Sequence, residues 1–245
     1  MTLIVLFFAS LWAGAQNALA GGGSFITLPS LMLTGMDARA ANMTSTVALF
    51  PAQIATGWTG RKNVSGAAGL SFTTLSIVSL LGGALGGVLL LKTPSSFFAR
   101  LVPWLVLFAT VIFAWGSFGP KRDNAGKLSR WAALAAQFGI AIYGGYFGGG
   151  IGFLMLAALT AAGLLIRNAG ATKNALAAVM NASAVIIFVF SAEVRWLQAG
   201  ISCAGAIIGG VAGAHLLNRV NEKALRAAVV VIGVLLTVGL FIRAT

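Results

Sequence analysis

Two runs of glycine interrupt otherwise apolar stretches of this chain, Gly21–Gly23 near the start and Gly148–Gly150 past the middle. The first lies between Thr2–Ala20, almost wholly uncharged, and the short apolar Ser24–Leu33. The second belongs to Gly144-Gly145-Tyr146-Phe147-Gly148-Gly149-Gly150-Ile151-Gly152. Three successive glycines break a helix rather than thin it. Inside a bilayer every backbone donor needs a partner, so such a break must face protein, a cavity or a bound ligand. Helices broken in this way, one per half of the chain, present backbone amides to a solute near the membrane midplane. The feature points to a transporter.

Composition agrees. Only 8% of the 245 residues are charged and 59% are hydrophobic, against roughly 25% charged in soluble domains. This is a polytopic membrane protein. The net charge of +12, from 16 basic and 4 acidic residues, would suggest nucleic acid in a soluble chain. Here the basic residues lie in short loops between apolar spans, so they face anionic headgroups and membrane lipid, with no nucleic-acid partner. Cys203 stands alone in an apolar span, which allows no internal disulfide, and no Cys/His cluster offers a metal site. No cofactor is implied. Ala18-Leu19-Ala20 resembles a cleavage site, but Met1-Thr2-Leu3 lacks a basic leader, so the first segment is expected to be retained.

Apolar segments fall at about 3–20, 24–34, 42–60, 66–91 and 97–118, then at about 131–147, 151–165, 174–193, 197–217 and 225–242. The polar stretch 119–130 is the one long connection and is expected to lie in the cytoplasm between an N-terminal membrane repeat, 1–118, and a C-terminal one, 131–245. Gly23 and Gly150 share an offset of 127 residues with the pairs Gly82/Gly209 and Gly83/Gly210. Counted as eight crossings, the basic residues divide evenly and give no orientation. Counted as ten, Arg39, Lys92, Arg100, Arg195 and Arg243 face one side and the other eleven face the opposite one. By the positive-inside rule both termini are then outside. The expected fold is an all-α polytopic protein of two inverted repeats of about five segments each: eight long helices plus two short ones after the glycine breaks.

The first amides of a helix have no intrahelical acceptor and favour negative charge. Gly21, Gly22, Gly23 and Ser24 at one short helix, and Gly148, Gly149, Gly150 and Ile151-Gly152 at the other, therefore form two candidate anion-binding ends, with no Lys or Arg needed. Thr27, Asn42, Thr46, Tyr146, Asn174 and Asn181 are candidate polar groups near these breaks. Asn42 and Asn174 also suit helix caps, and Asn181, Ser183 and Gln53 suit either a solute path or helix cross-links. Tyr143 and Tyr146 flank the second break, where either hydroxyl can donate to an oxyanion or the rings can pack on glycine. The stripes Gly82-Gly83-Ala-Leu-Gly86-Gly87 and Gly209-Gly210-Val-Ala-Gly213 read as close helix crossings. Asp37 is expected to pair with Arg39, and Glu193 and Arg195 to be rim charges. His215, the sole histidine, reads as interface packing, with a proton-coupling role as the alternative.

Ala20-Gly21-Gly22-Gly23-Ser24-Phe25-Ile26-Thr27-Leu28-Pro29-Ser30-Leu31, with Asn42-Met-Thr-Ser-Thr46 after it, resembles the N-terminal signature of the TauE/SafE sulfite-exporter family, and Gly144–Phe153 resembles its second copy. The resemblance covers essentially the full chain. It implies an integral membrane permease for sulfite, an organosulfonate or another small organic anion, with Gly21, Gly22, Gly23, Pro29, Gly148, Gly149 and Gly150 framing the substrate region. Ser24 after the first glycines and Asp37 in the turn, where members often show proline, depart from the pattern. The expected function is secondary transport of a small anionic solute by alternating access; coupling to a proton and a homo-oligomeric state stay open. An anion channel is the rival within transport. An intramembrane enzyme would need a nucleophile–base pair or metal ligands at depth, and a structural subunit would tolerate Gly22→Ala or Gly149→Ala.

Overall fold

The computed structural model describes residues 2–19, 22–119, 128–216 and 222–244. Among them are ten α-helices: α1 (Thr2–Leu19), α2 (Ser24–Met32), α3 (Ala38–Thr59), α4 (Phe72–Lys92), α5 (Ser95–Phe118), α6 (Arg130–Tyr146), α7 (Ile151–Ala161), α8 (Ile166–Phe188), α9 (Trp196–Leu216) and α10 (Glu222–Ala244). Gly21 and most of the 119–130 connection lie outside the described residues, as does the side chain of His215.

The expectation of eight long membrane helices in two inverted five-segment repeats is corrected. Among the described residues only α4, α5 and α8 are long and apolar enough to cross a membrane by length and composition. In α1, α9 and α10 the apolar described stretches stop short, at Thr2–Asn17, Trp196–Ala212 and Arg226–Ile242. α3 has 22 residues but carries Arg39, Asn42, Thr44, Ser45, Thr46, Gln53 and Thr56, and α6 stops at 17 residues. The molecule is an all-α, multi-helix membrane protein. Apolar side chains such as Ile77, Trp104, Phe108, Trp115 and Leu235 are exposed on its outside, a surface matched to acyl chains, which are as apolar as leucine.

Helix starts follow local chemistry. Asp37 accepts from the amides of Arg39 and Ala40 at 3.0 and 3.2 Å and so starts α3. Ser71 caps α4 through the Thr74 amide, and Ser129 caps α6 through that of Ala132. Such oxygens replace acceptors that the first turn lacks. α2 and α7 differ: each begins on a glycine, Gly23 or Gly150, with no side-chain cap.

Close approach of backbones then packs the bundle. α1 lies chiefly on α9, and α4 on α6 and α8. A Cβ at Gly83 would stand 2.3 Å from the Met180 carbonyl oxygen, one at Gly86 2.2 Å from that of Ile142, and one at Gly209 1.8 Å from that of Leu11. These seams exclude any side chain. α3 and α8 run antiparallel: Arg39 near the start of α3 meets Glu193 beyond the end of α8, while Gly60 after α3 adjoins Ala171 early in α8.

Candidate functional site

The two glycine breaks meet. One cavity is lined by Gly22 and Ser24 from the first break and by Gly148, Gly150, Ile151 and Gly152 from the second. Asn17 closes it from α1, Gln53 and Thr56 from α3, and Lys173, Asn174 and Ala177 from α8. Its volume is about 50 Å³. A water needs about 10–15 Å³ on this scale, so the space suits roughly three or four waters, or the oxygens of one compact oxyanion.

Both short helices start at this cavity and lead away from it in opposite directions. α2 ends in the turn that feeds the start of α3, near the Arg39–Glu193 pair. α7 ends where the Ala161 carbonyl accepts from the Leu128 amide, just before the chain enters α8 at its far end. With 9 and 11 residues at 1.5 Å per residue, the two together measure about 30 Å, the thickness of the hydrocarbon layer. The cavity therefore lies between the two ends of the bundle, where both short helices start.

Glycine makes this geometry. Gly22, Gly148 and Gly150 have φ of +87°, +79° and +73°, the left-handed region that other L-residues enter at a cost of about 1–2 kcal/mol. In α7 the first intrahelical bond runs from the Phe153 amide to the Gly150 carbonyl at 3.1 Å. The amides of Ile151 and Gly152 precede it at the cavity wall. In α2 the Phe25 amide turns back to the Gly22 carbonyl at 3.0 Å, leaving Ser24 as the lining residue. Two helix N-termini thus turn their positive ends toward one small space, an arrangement that favours negative charge.

Of the other candidates, Asn174 lines the cavity, from the ninth position of α8 rather than as a cap. Gly57 brings α3 close there, a Cβ at that position lying 3.4 Å from the Asn174 carbonyl oxygen. Asn181 stands behind the wall and donates to Gln53 Oε1 at 2.6 Å, which orients a lining side chain. The remaining candidates sit away from the cavity. Thr27 bonds Ser45 Oγ at 2.5 Å and the Gly23 carbonyl at 3.3 Å. Asn42, buried inside α3, donates to the Tyr146 carbonyl at 3.1 Å, and Thr46 donates to the Asn42 carbonyl at 2.9 Å. The Tyr146 hydroxyl donates to Thr93 Oγ1 at 3.3 Å, and its ring packs edge-on to Phe98. Gly149 is buried, and a Cβ there would meet the Phe147 ring at 2.5 Å.

Lys173 is the residue that sequence reasoning missed. It read as a loop charge because the hydropathic stretch begins at Asn174. In the structure α8 begins at Ile166, so Lys173 lies inside the helix and on the cavity wall. Its Nζ is 3.6 Å from where a Cβ on Gly152 would be, beside the α7 N-terminus. The lack of proline from Ile166 to Leu176, with alanine at 169, 171 and 175, was the available signal. Among the described residues, no carboxylate lines the cavity.

The ion pairs also differ from expectation. Asp37 is a helix cap, and Arg39 instead forms a two-pronged pair with Glu193, its Nε donating at 2.9 Å. The same guanidinium bonds the carbonyls of Leu91, at 3.3 Å, and Thr93. The Arg195 amide donates to Thr44 Oγ1 at 3.2 Å. One arginine thus ties the start of α3 to the connections after α4 and α8. Gln53 follows it by 14 residues of helix, so this tie stands about 20 Å from the cavity.

The signature of the sulfite exporter TauE/SafE family matches residues 6–240. A "Probable membrane transporter protein" of Haemophilus influenzae is 28% identical over 243 residues, covering 96% of this chain and 92% of the relative. "Probable membrane transporter protein YfcA" of Escherichia coli K12 is 28% identical over 248 residues, 98% of this chain and 90% of its own length. "Probable membrane transporter protein ORF9" of a Sinorhizobium species is 26% identical, covering 97% of this chain and 92% of its own length.

Proposed function

Because the chain belongs to the sulfite exporter TauE/SafE family, as a multi-pass transporter of the bacterial inner membrane rather than an enzyme, we propose that it carries a small anion such as sulfite or an organosulfonate by alternating access. The observation that carries this reading is the cavity on which two helix N-termini without side-chain caps and the Lys173 side chain converge. Gly22, Ser24, Gly148, Gly150 and Asn174 are its contact residues. Gly23 at the start of α2 and Asn181, which holds Gln53, support it from behind.

The strength suits a carrier. Each helix end contributes up to about 2 kcal/mol to a bound anion, and a charge-assisted hydrogen bond about 1.5–3 kcal/mol. Together these reach about 4–7 kcal/mol, the range of a Kd between millimolar and about ten micromolar. An anion so held can leave again. The Arg39–Glu193 tie closes the face that the charge distribution assigns to the outside, and opening it while the opposite face closes would complete the cycle. An inside-negative potential favours outward movement of the anion by about 2.3 kcal/mol per charge per 100 mV.

The test is sulfite flux in proteoliposomes. Saturable uptake with counterflow is expected, reduced at least tenfold by Gly22→Ala and by Asn174→Ala in protein that remains monodisperse. Flux that never saturates and shows no counterflow means a channel, and normal flux in both variants rejects the cavity as the site.

A further inference from the structure

We infer that Lys173 is the counter-charge of the carried solute and makes the site select compact oxyanions of net negative charge over zwitterions that carry an ammonium group. This rests on the transport reading above and names the substrate class of that site. An ammonium inside a membrane-spanning helix is unfavourable, and such residues mark solute paths. Lys173 stands seven residues into α8, about 10 Å along its axis, enclosed by surrounding helices and lining the cavity.

Its neighbour on α7 is also positive. Nζ adjoins Gly152 in the first turn of α7, where the helix dipole is itself positive. Of the carboxylates whose side chains are described, Asp37 caps α3 and Glu193 holds Arg39. An empty site thus gathers like charge, and an anion relieves it.

The same arrangement penalises a second ammonium. In a space of about 50 Å³, a solute's own amine could not escape Lys173. Gln53 Oε1 on the wall already accepts from Asn181 at 2.6 Å, which leaves it a single lone pair for such an amine. Gly152 contributes by absence: a methyl there would sit 3.6 Å from Nζ, in the space between the ammonium and the α7 amides.

Ethanesulfonate and taurine (2-aminoethanesulfonate) test this at neutral pH, since both are small sulfonates and taurine adds an ammonium on the terminal carbon. In sulfite counterflow, wild-type protein should be inhibited at least tenfold more strongly by ethanesulfonate. Lys173→Gln should weaken sulfite affinity at least tenfold and bring the two inhibitors within about threefold of each other. Lys173→Arg should keep the wild-type preference, and Gly152→Ala should weaken both inhibitors alike, a second variant that keeps Lys173. Equal potency in the wild type, failure of ethanesulfonate to compete included, overturns the inference. So does a Lys173→Gln variant with unchanged selectivity. Absence of any saturable sulfite flux in the wild type refutes the transport reading instead.

Discussion

Replacing Glu193 by glutamine removes one charge from the tie at the start of α3 and should unlatch that face. The pair is half-buried, with side-chain exposures of 15% for Arg39 and 31% for Glu193. Exposed pairs contribute about 0–1 kcal/mol, whereas breaking a buried pair costs about 3–5 kcal/mol. Arg39 keeps the Leu91 and Thr93 carbonyls as acceptors, so the loss falls between these limits, at about 2 kcal/mol. If the pair exists only while this face is closed, 2 kcal/mol shifts the closed-to-open ratio about thirtyfold, at 1.4 kcal/mol per factor of ten. A cysteine at Thr56, on the cavity wall, would report it in a Cys203→Ser background, as Cys203 is the only native thiol. A membrane-impermeant maleimide added on the Arg39 face should label Glu193→Gln protein ten to thirty times faster than its parent. Arg39→Lys, which keeps the charge but loses the fork, should fall between. Unchanged labelling beside a lowered melting temperature would refute the reasoning and leave the pair as a stabiliser alone.

Gly209→Ala should lower the melting temperature by an overpacking cost of at least about 1–3 kcal/mol, because its Cβ would fall 1.8 Å from the Leu11 carbonyl oxygen. Gly150→Ala should both destabilise by about 1–2 kcal/mol and depress sulfite flux, given its φ of +73° and its place at the cavity. Gly139→Ala is the matched control: nothing lies within 4 Å of the added methyl, so thermal stability should hold or rise by up to about 1 kcal/mol, with flux unchanged. Asn181→Ala should free Gln53, which it holds at 2.6 Å; a loss of about 1 kcal/mol corresponds to a roughly fivefold higher KM for sulfite at similar melting temperature.

The glycine breaks were legible because they violate a strong rule: backbone left unpaired in hydrocarbon needs a purpose. Ser24, Gly150 and Asn174 were reached from sequence for that reason. Lys173 and Arg39 were not, since hydropathy counts a charge as a boundary and so started the segments at 174 and 42. The helices start at Ile166 and Ala38, and both charges lie within them. Residues 66–71 misled in the opposite direction. They are mostly small or apolar, yet they form a turn with an Ala67–Leu70 bridge, Gly69 at φ +74° and Ala68 at +52°, and α4 waits for the Ser71 cap. The number of long apolar helices is lower than the apolar segments suggest in part because α3 carries a polar inner face and α6 stops at 17 residues. Partner choice was the least visible layer: Asp37 and Arg39 are near neighbours in the chain, but the carboxylate serves amides, and the guanidinium finds Glu193 from 154 positions away.

Where backbones touch with no side chains between them, neighbouring helices mesh like keyed planks and cannot slide past one another without carbonyls colliding. Gly83 against Met180, Gly86 against Ile142 and Gly209 against Leu11 therefore fasten α4 to α6 and α8, and α1 to α9, as two stiff slabs. The lighter contacts fall around α2 and α7, the two helices that start at the cavity.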